Sequence, residues 1–217
     1  MNFTKNRDRS ASDEQLMTGI QNGDSRALEA LYNRYSRRLL IYFYRMLGAE
    51  EKAQDFLQDI FLKLTERPDA FDTGRTFSKW IFSIAANMCK NEYRSLEVRK
   101  AHQNNGTENT VIPLNPESRI EDRLDQERFK TRLFREIRKL NADQRNTFLL
   151  RFQENFSIRE TAQILNCSEG TVKSRLFYIT RKLAIKLKHF DPLRELDLRS
   201  RRESSTNSEV SHHGNQK

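Results

Sequence analysis

The sequence predicts an all-α protein of two small helical domains joined by a flexible linker, the C-terminal one a helix-turn-helix. Three observations lead there. Seven Gly and four Pro punctuate 217 residues rich in Leu, Arg, Lys, Glu and Gln, a composition that favours helices over sheets. With 36% hydrophobic residues, two small cores are easier to fill than one large one. Apolar residues recur at helical spacing in two blocks, residues 10–96 and 117–190, on either side of a polar stretch.

In the first block, Ser12 with Gln15 reads as a capping box, Gly23 as a helix stop and Asp24 as the next cap. A second helix carries Leu28, Leu31, Tyr35, Leu39 and Tyr42 on one stripe and stops at Gly48. A third runs from Glu50 to about Glu66, ahead of Pro68. After the loop PDAFDTGR comes a fourth, TFSKWIFSIAANMCKNEYR, with Thr76 as its expected cap. Residues 97–116 are expected to be the linker, because Lys100 to Pro116 is polar, Gly- and Pro-containing and without a sustained period. A helix restarts near Glu117 with Ile120, Leu124, Phe129, Leu133, Ile137 and Leu140 as its apolar positions. Asn141 and Gln144 are expected to cap the next helix reciprocally, and Ser157 with Glu160 the one after. From Asp191 the Ser-, Arg-, Asn- and His-rich composition predicts a disordered tail over 191–217.

The formal charge of +9 points to a polyanionic partner, and a basic balance alone also suits a membrane surface. No apolar run approaches the roughly 18 residues of a spanning helix, so membrane insertion is not expected, and the N-terminus lacks a secretory apolar segment, so a cytoplasmic location is. Cys89 and Cys167, without a CxxC or a nearby His pair, read as packing thiols; no metal or cofactor is expected.

The stretch Ile158 to Leu176 holds a short amphipathic helix with Ile158, Ala162 and Leu165 inward, then the break Asn166-Cys167-Ser168, then a second helix. That spacing is a helix-turn-helix corner, with Ser168 as cap. Val172, Leu176, Ile179, Leu183 and Leu187 form the second helix's core stripe; Thr171, Ser174, Arg175, Tyr178, Arg181 and Lys182 lie opposite. From Asn141 to Ser168, Arg145, Arg151 and Arg159 balance Asp143, Glu154 and Glu160. From Glu169 to His189, Lys173, Arg175, Arg181, Lys182, Lys186 and Lys188 face Glu169 alone, a net charge of +5. The excess sits on the helix that would lie in a DNA groove. Thr171, Lys173, Ser174, Arg175 and Tyr178 are the candidates for base or adjacent-phosphate contact, and Arg181 and Lys182 for phosphates.

In the first block the third helix turns Phe56, Leu57, Ile60, Phe61 and Leu64 inward and leaves Asp55, Gln58, Asp59 and Glu66 outside, with Leu62 among them. An acidic strip is not for DNA, so in a basic DNA-binding chain it suggests a protein partner. The fourth helix places Phe77, Trp80, Ile81, Ile84, Ala85 and Met88 inward and Lys79, Ser83, Lys90 and Arg94 on a basic edge. Trp80 reads as core; Asn87 is either a satisfied buried amide or a base-edge reader.

Three motifs, AQDFLQDIFLKL (Ala53 to Leu64), FSKWIFSIAANMCKNEYR (Phe77 to Arg94) and FSIRETAQILNCSEGTVKSRL (Phe156 to Leu176), resemble the bacterial extracytoplasmic-function sigma factors. These are the short, two-domain members of the sigma-70 family. The likeness covers most of residues 12–190 in order, leaving out the linker and tail. It implies a region 2-like domain over 10–96 and a region 4-like domain over 117–190. It gives Asp55, Gln58, Asp59 and Leu62 a role at the clamp helices of the largest polymerase subunit, and the second domain a place at the flap of the second-largest. Phe71, Asp72, Thr73, Gly74 and Arg75 would be the loop, and Lys79, Ser83, Asn87 and Lys90 the helix, that open the start-proximal promoter element and capture a flipped base. An anti-sigma factor is a further implied partner. Many relatives have a basic residue where Tyr178 stands, and the tail extends past the family's minimal ending.

Two other classes compete. A stand-alone helix-turn-helix regulator would need neither the acidic strip nor the loop with its basic helix. A recombinase needs a nucleophile beside convergent arginines or a metal cluster, and the sequence offers no such constellation; no catalytic residue is expected.

Overall fold

A computed structural model describes residues 11–102 and 121–190. The described residues form eight α-helices and two short 3₁₀ turns, with no strand: α1 (Asp13–Gln21), α2 (Ser25–Leu47), α3 (Glu50–Glu66), α4 (Phe77–His102), α5 (Glu121–Arg138), α6 (Ala142–Phe152), α7 (Ile158–Leu165) and α8 (Glu169–Leu187). The expected linker beyond His102, the helix start near Glu117 and Ile120, the side chain of Leu124 and the tail after Asp191 lie outside the described residues. The helix α4 runs to His102, six residues into the stretch read as linker.

Local signals set the boundaries. Ser12 and Gln15, and again Ser157 and Glu160, exchange both bonds of a capping box. Asp24 caps α2, and Gly48 ends it in a left-handed turn at φ 76°. The Arg138 guanidinium, the far end of a flexible side chain, lies against Gly48 where a Cβ would be, so it is the left-handed φ that calls for glycine there. Asn141 accepts from the Gln144 N–H at 2.8 Å, the half of the expected reciprocal pair that forms. The start of α4 is held by a distant group: the Phe77 N–H donates to Glu14 of α1 at 3.0 Å.

Two compact units share the described residues, one of 11–102 with 137–179, the other of 121–136 with 180–190. In the larger, α2 packs on α1, α3, α4 and α6, and α4 packs on α6 and α7. One continuous core results: Leu31, Tyr35, Leu39, Tyr42 and Met46 of α2, Leu57, Ile60 and Leu64 of α3, and Phe77, Ile81, Phe82 and Ala85 of α4 are contiguous with Leu149, Leu150, Phe156 and Ile164. Phe82 meets Phe156 edge-on with ring centroids 5.4 Å apart. Each buried Leu, Ile, Met or Phe among them contributes about 1.5–3 kcal/mol.

Polar bonds cross the same contact. Tyr42 donates to Asn146, Arg38 meets Glu154 at 3.0 Å and Arg45 donates to Gln153 at 2.5 Å. Arg145 is buried without a carboxylate, yet all five of its N–H groups find acceptors. These are Ile137 O at 3.2 Å, Leu140 O at 3.1 Å, Met46 O at 2.5 Å, Arg138 O and the Tyr93 hydroxyl. The side chain thus satisfies carbonyls at the C-terminal ends of both α2 and α5.

In the smaller unit the rings of Phe129 and Phe190 lie 5.7 Å apart, and Arg132 reaches Glu136 at 3.6 Å. Phe129, expected on the apolar stripe, is 37% exposed; the contact with Phe190 covers only part of it.

Candidate nucleic-acid and protein interfaces

The strip on α3 is an outward face because its inward one is fully used: Ala53, Leu57, Ile60, Phe61 and Leu64 are buried. Asp55, Gln58, Asp59 and Leu62 are all exposed, Leu62 at 54%. Among the described residues Asp55 and Asp59 have no ion-pair partner. Their charge therefore projects unneutralised beside an apolar side chain. The acids of the first turn of α3, Glu50 and Glu51, are where the helix dipole favours them.

The loop before α4 is pinned at its start and open afterwards. Phe71 is buried against Phe77 and Trp80, at centroid distances of 5.5 and 5.0 Å, and its carbonyl accepts from Gln21 at 3.0 Å. Phe71 therefore anchors the loop as a core residue, a correction to its placement among the base-capturing residues: its flanking turn residues do not reveal that the ring completes an aromatic cluster. From Asp72 to Thr76 the loop is exposed, and Asp72 shapes it by accepting from the Gly74 N–H at 3.0 Å.

Along α4, Asn87 is exposed, which settles it as a surface amide rather than a buried one, while Lys79, Ser83 and Lys90 are half-buried. Ser83 donates to the Trp80 carbonyl at 2.7 Å. Trp80 is half-buried and lies at the edge of the core. Together with Gly74, Arg75, Thr76, Lys79, Ser83, Gln163 and Ile164 it lines a hollow of about 480 Å³. The Lys79 ammonium donates to Gln163 of α7 at 3.4 Å. The basic edge of α4 is thus partly roofed by α7, an arrangement the sequence did not reveal. Its one signal was the apolar pair Ile164-Leu165, which gives α7 two sides to bury: Ile164 is buried and Ile158 and Leu165 are half-buried.

At the corner, Asn166 takes the left-handed conformation at φ 48°, and Ser168 accepts from the Thr171 N–H at 3.0 Å. The Thr171 hydroxyl is 2.9 Å from that of Ser168, so it belongs to the cap. Val172, Ile179 and Leu183 are buried, which leaves Lys173, Ser174, Tyr178, Arg181 and Lys182 exposed along one continuous helix. Arg175 is half-buried and donates to Asp143 of α6 at 2.6 Å.

Burial raises the Cys89 thiol, as suits a core group. The described residues contain no group of three or more His, Cys, Asp or Glu able to hold a metal ion, and no helix among them is long and apolar enough to cross a membrane.

Comparison with known proteins bears on the family and the fold. The family profile described as "Sigma-70 region 2" matches residues 31–98 and that described as "Sigma-70, region 4" matches residues 130–183, together more than half of the chain. The ECF RNA polymerase sigma factor BldN of Streptomyces coelicolor is 29% identical over 175 residues, which cover 78% of this chain and 64% of that relative. SigL of Mycobacterium tuberculosis, also an ECF RNA polymerase sigma factor, is 27% identical over 172 residues, 79% of this chain and 94% of the relative. The ECF RNA polymerase sigma-E factor of Escherichia coli is 29% identical over 172 residues, 76% and 89%. The chain thus spans just under two thirds of the first relative and most of the other two. Among solved structures, the sigma factor RpoE in complex with the anti-sigma factor NepR from Bartonella quintana superposes with a TM-score of 0.62 at 23% identity, over 74% of this chain and 96% of that one. CnrH in complex with the cytosolic domain of CnrY gives 0.61 at 23% identity, over 82% and 99%; at such identity the likeness speaks for the fold. An all-helical chain that carries both sigma-70 regions in order, among relatives of this kind, belongs to the sigma-70 family, in its extracytoplasmic-function group.

Proposed function

We propose that the protein is a dissociable specificity subunit of RNA polymerase, which binds the core enzyme, directs it to a promoter class and helps to melt the DNA. The observation that carries this is the division of charge on one chain: an exposed, unneutralised acidic strip on α3 and a recognition helix whose exposed side is basic. In this reading Asp55, Gln58, Asp59 and Leu62 dock on the clamp helices of the largest subunit, and the helix-turn-helix domain meets the flap of the second-largest. Lys173, Ser174, Arg175 and Tyr178 face the upstream element in the major groove, with Thr171 holding the helix start and Arg181 and Lys182 on phosphates. The loop from Asp72 to Arg75 and Lys79, Ser83, Asn87 and Lys90 take the separated strand of the start-proximal element.

Catalysis stays with the polymerase, with no cofactor or catalytic residue supplied by this chain, and the protein works in the cytoplasm where core polymerase and promoters are. An anti-sigma factor is a proposed third partner, on the precedent of the complexes named above. The test is transcription in vitro with purified core polymerase on a genomic fragment library. Initiation from a defined set of sites that share two elements is expected; no initiation at any site, with inhibitor absent, overturns the proposal. A stand-alone regulator would instead bind duplex DNA tightly and specifically without polymerase.

A further inference from the structure

We propose that Asp143 is a positioning residue for promoter readout: its carboxylate fixes the Arg175 guanidinium at the recognition face of α8 and so sets discrimination at one base pair. The inference rests on the reading that α8 lies in the groove of the upstream element, and it deepens that reading.

Asp143 is the second residue of α6, in a first turn fixed by the Asn141 cap, where the helix dipole favours a carboxylate. Its Oδ2 accepts from Arg175 Nη2 at 2.6 Å, across 32 positions of sequence. Arg175 stands in the N-terminal half of α8, the part of a recognition helix that reaches base edges. Among the described residues it is the cation of α8 that carries a carboxylate partner; Lys173, Arg181, Lys182 and Lys186 do not. The side chain of Asp143 is 43% exposed and that of Arg175 23%, so the acid stands at the surface beside the face offered to a polyanion.

An acid there is unfavourable for affinity alone. It repels phosphates and cancels one of the charges that release counterions. Orientation is what it supplies in return. A guanidinium has five N–H donors; with one held by Asp143, an edge remains for bidentate donation to guanine O6 and N7. Holding it there before binding removes side-chain ordering from the cost of association. A side chain that only touches phosphate, as an extended Lys does, needs no such partner.

Asp143→Ala therefore moves two quantities in opposite directions. Binding to non-specific duplex holds or tightens, with a salt slope steeper by about one phosphate contact. Discrimination at the base pair read by Arg175 falls about tenfold. Asp143→Asn keeps the shape of the turn and a weaker acceptor, and falls between. In a double-mutant cycle, Asp143→Ala adds nothing to the specificity loss of Arg175→Ala. The experiment is selection from a promoter library randomised across the upstream element, with the full chain bound to core polymerase, alongside duplex binding at several salt concentrations. If the wild type enriches no upstream sequence, the proposed function itself fails. If the wild type enriches one and Asp143→Ala and Asp143→Asn enrich it with undiminished preference, the positioning role is overturned. A uniform loss of activity across all sequences, with the base profile unchanged, also overturns it, since that is the mark of a structural role.

Discussion

A guanidinium taken out of water with no acid beside it is expensive, and Arg145 is tolerated because carbonyl groups and one hydroxyl surround it on every donating side. Burial pulls its pKa below the ordinary value, opposed by the nearby Tyr93. Arg145→Met takes the donor from the Arg138 and Leu140 carbonyls, while Met46 O keeps the Tyr93 hydroxyl and Ile137 O the Leu140 N–H, and is expected to cost about 3 kcal/mol, read from the urea midpoint at unchanged slope. Glu14 makes the second residue-scale prediction. Its bond from the Phe77 N–H is the main cause that lowers its pKa from the ordinary 4.5. A carboxyl with a depressed folded-state pKa stabilises above its unfolded value, and the stabilisation is lost as pH falls through the folded one. Glu14→Gln should therefore flatten the fall of thermal midpoint below about pH 4.5 while leaving a smaller, pH-independent loss at neutrality. Such residues were not legible in the sequence. Ser12 with Gln15 and Ser157 with Glu160 were, because both partners of a cap lie within one turn. Arg145 with Met46 and Glu14 with Phe77 are 99 and 63 positions apart, and nothing local marks either pair.

At the scale of the helix, periodicity says which side is buried but not what buries it. The pattern on α3 separated Leu57, Ile60 and Leu64 from Asp55, Gln58 and Asp59 correctly, because a helix on the outside of a bundle has one buried side and one solvent face. On α7 the same reasoning kept Ile158, Ala162 and Leu165 for its own domain and overlooked Ile164, whose side chain belongs to the core with α4. Phe71 was overlooked for a related reason: in a stretch of turn residues an aromatic ring looks available, and only the cluster with Phe77 and Trp80 shows it is occupied. The outward side of α3 yields a prediction of its own. Reversing charge with Asp55→Lys and Asp59→Lys removes no buried contact, so stability should change by less than about 0.5 kcal/mol. Affinity for core polymerase should fall at least tenfold in a titration, and an unchanged affinity would remove α3 from the interface.

Across the larger unit, core residues from α2 and α4 and core residues from α6 and α7 are one contiguous set. Ile164→Ala, which opens a cavity in that set, is expected to cost about 2–4 kcal/mol. Its signature should be cooperative: amides of α4 as well as α7 lose hydrogen-exchange protection. Protection lost in α7 alone would mean that the two stretches open independently. A contact of this kind joins segments that a sequence pattern separates, since each helix taken alone is amphipathic whether or not its apolar side is shared.

The packing of Phe82 on Phe156, with Tyr42 on Asn146 and Arg145 on Tyr93, bears on chimera engineering. Exchanging the helix-turn-helix segment for that of a relative transplants only one side of three matched pairs. A hybrid that keeps Tyr42, Phe82 and Tyr93 but imports different residues opposite them would carry a mismatched seam whatever the donor's recognition helix reads. Carrying both members of each pair across as a set is the way to exchange specificity without loosening the host.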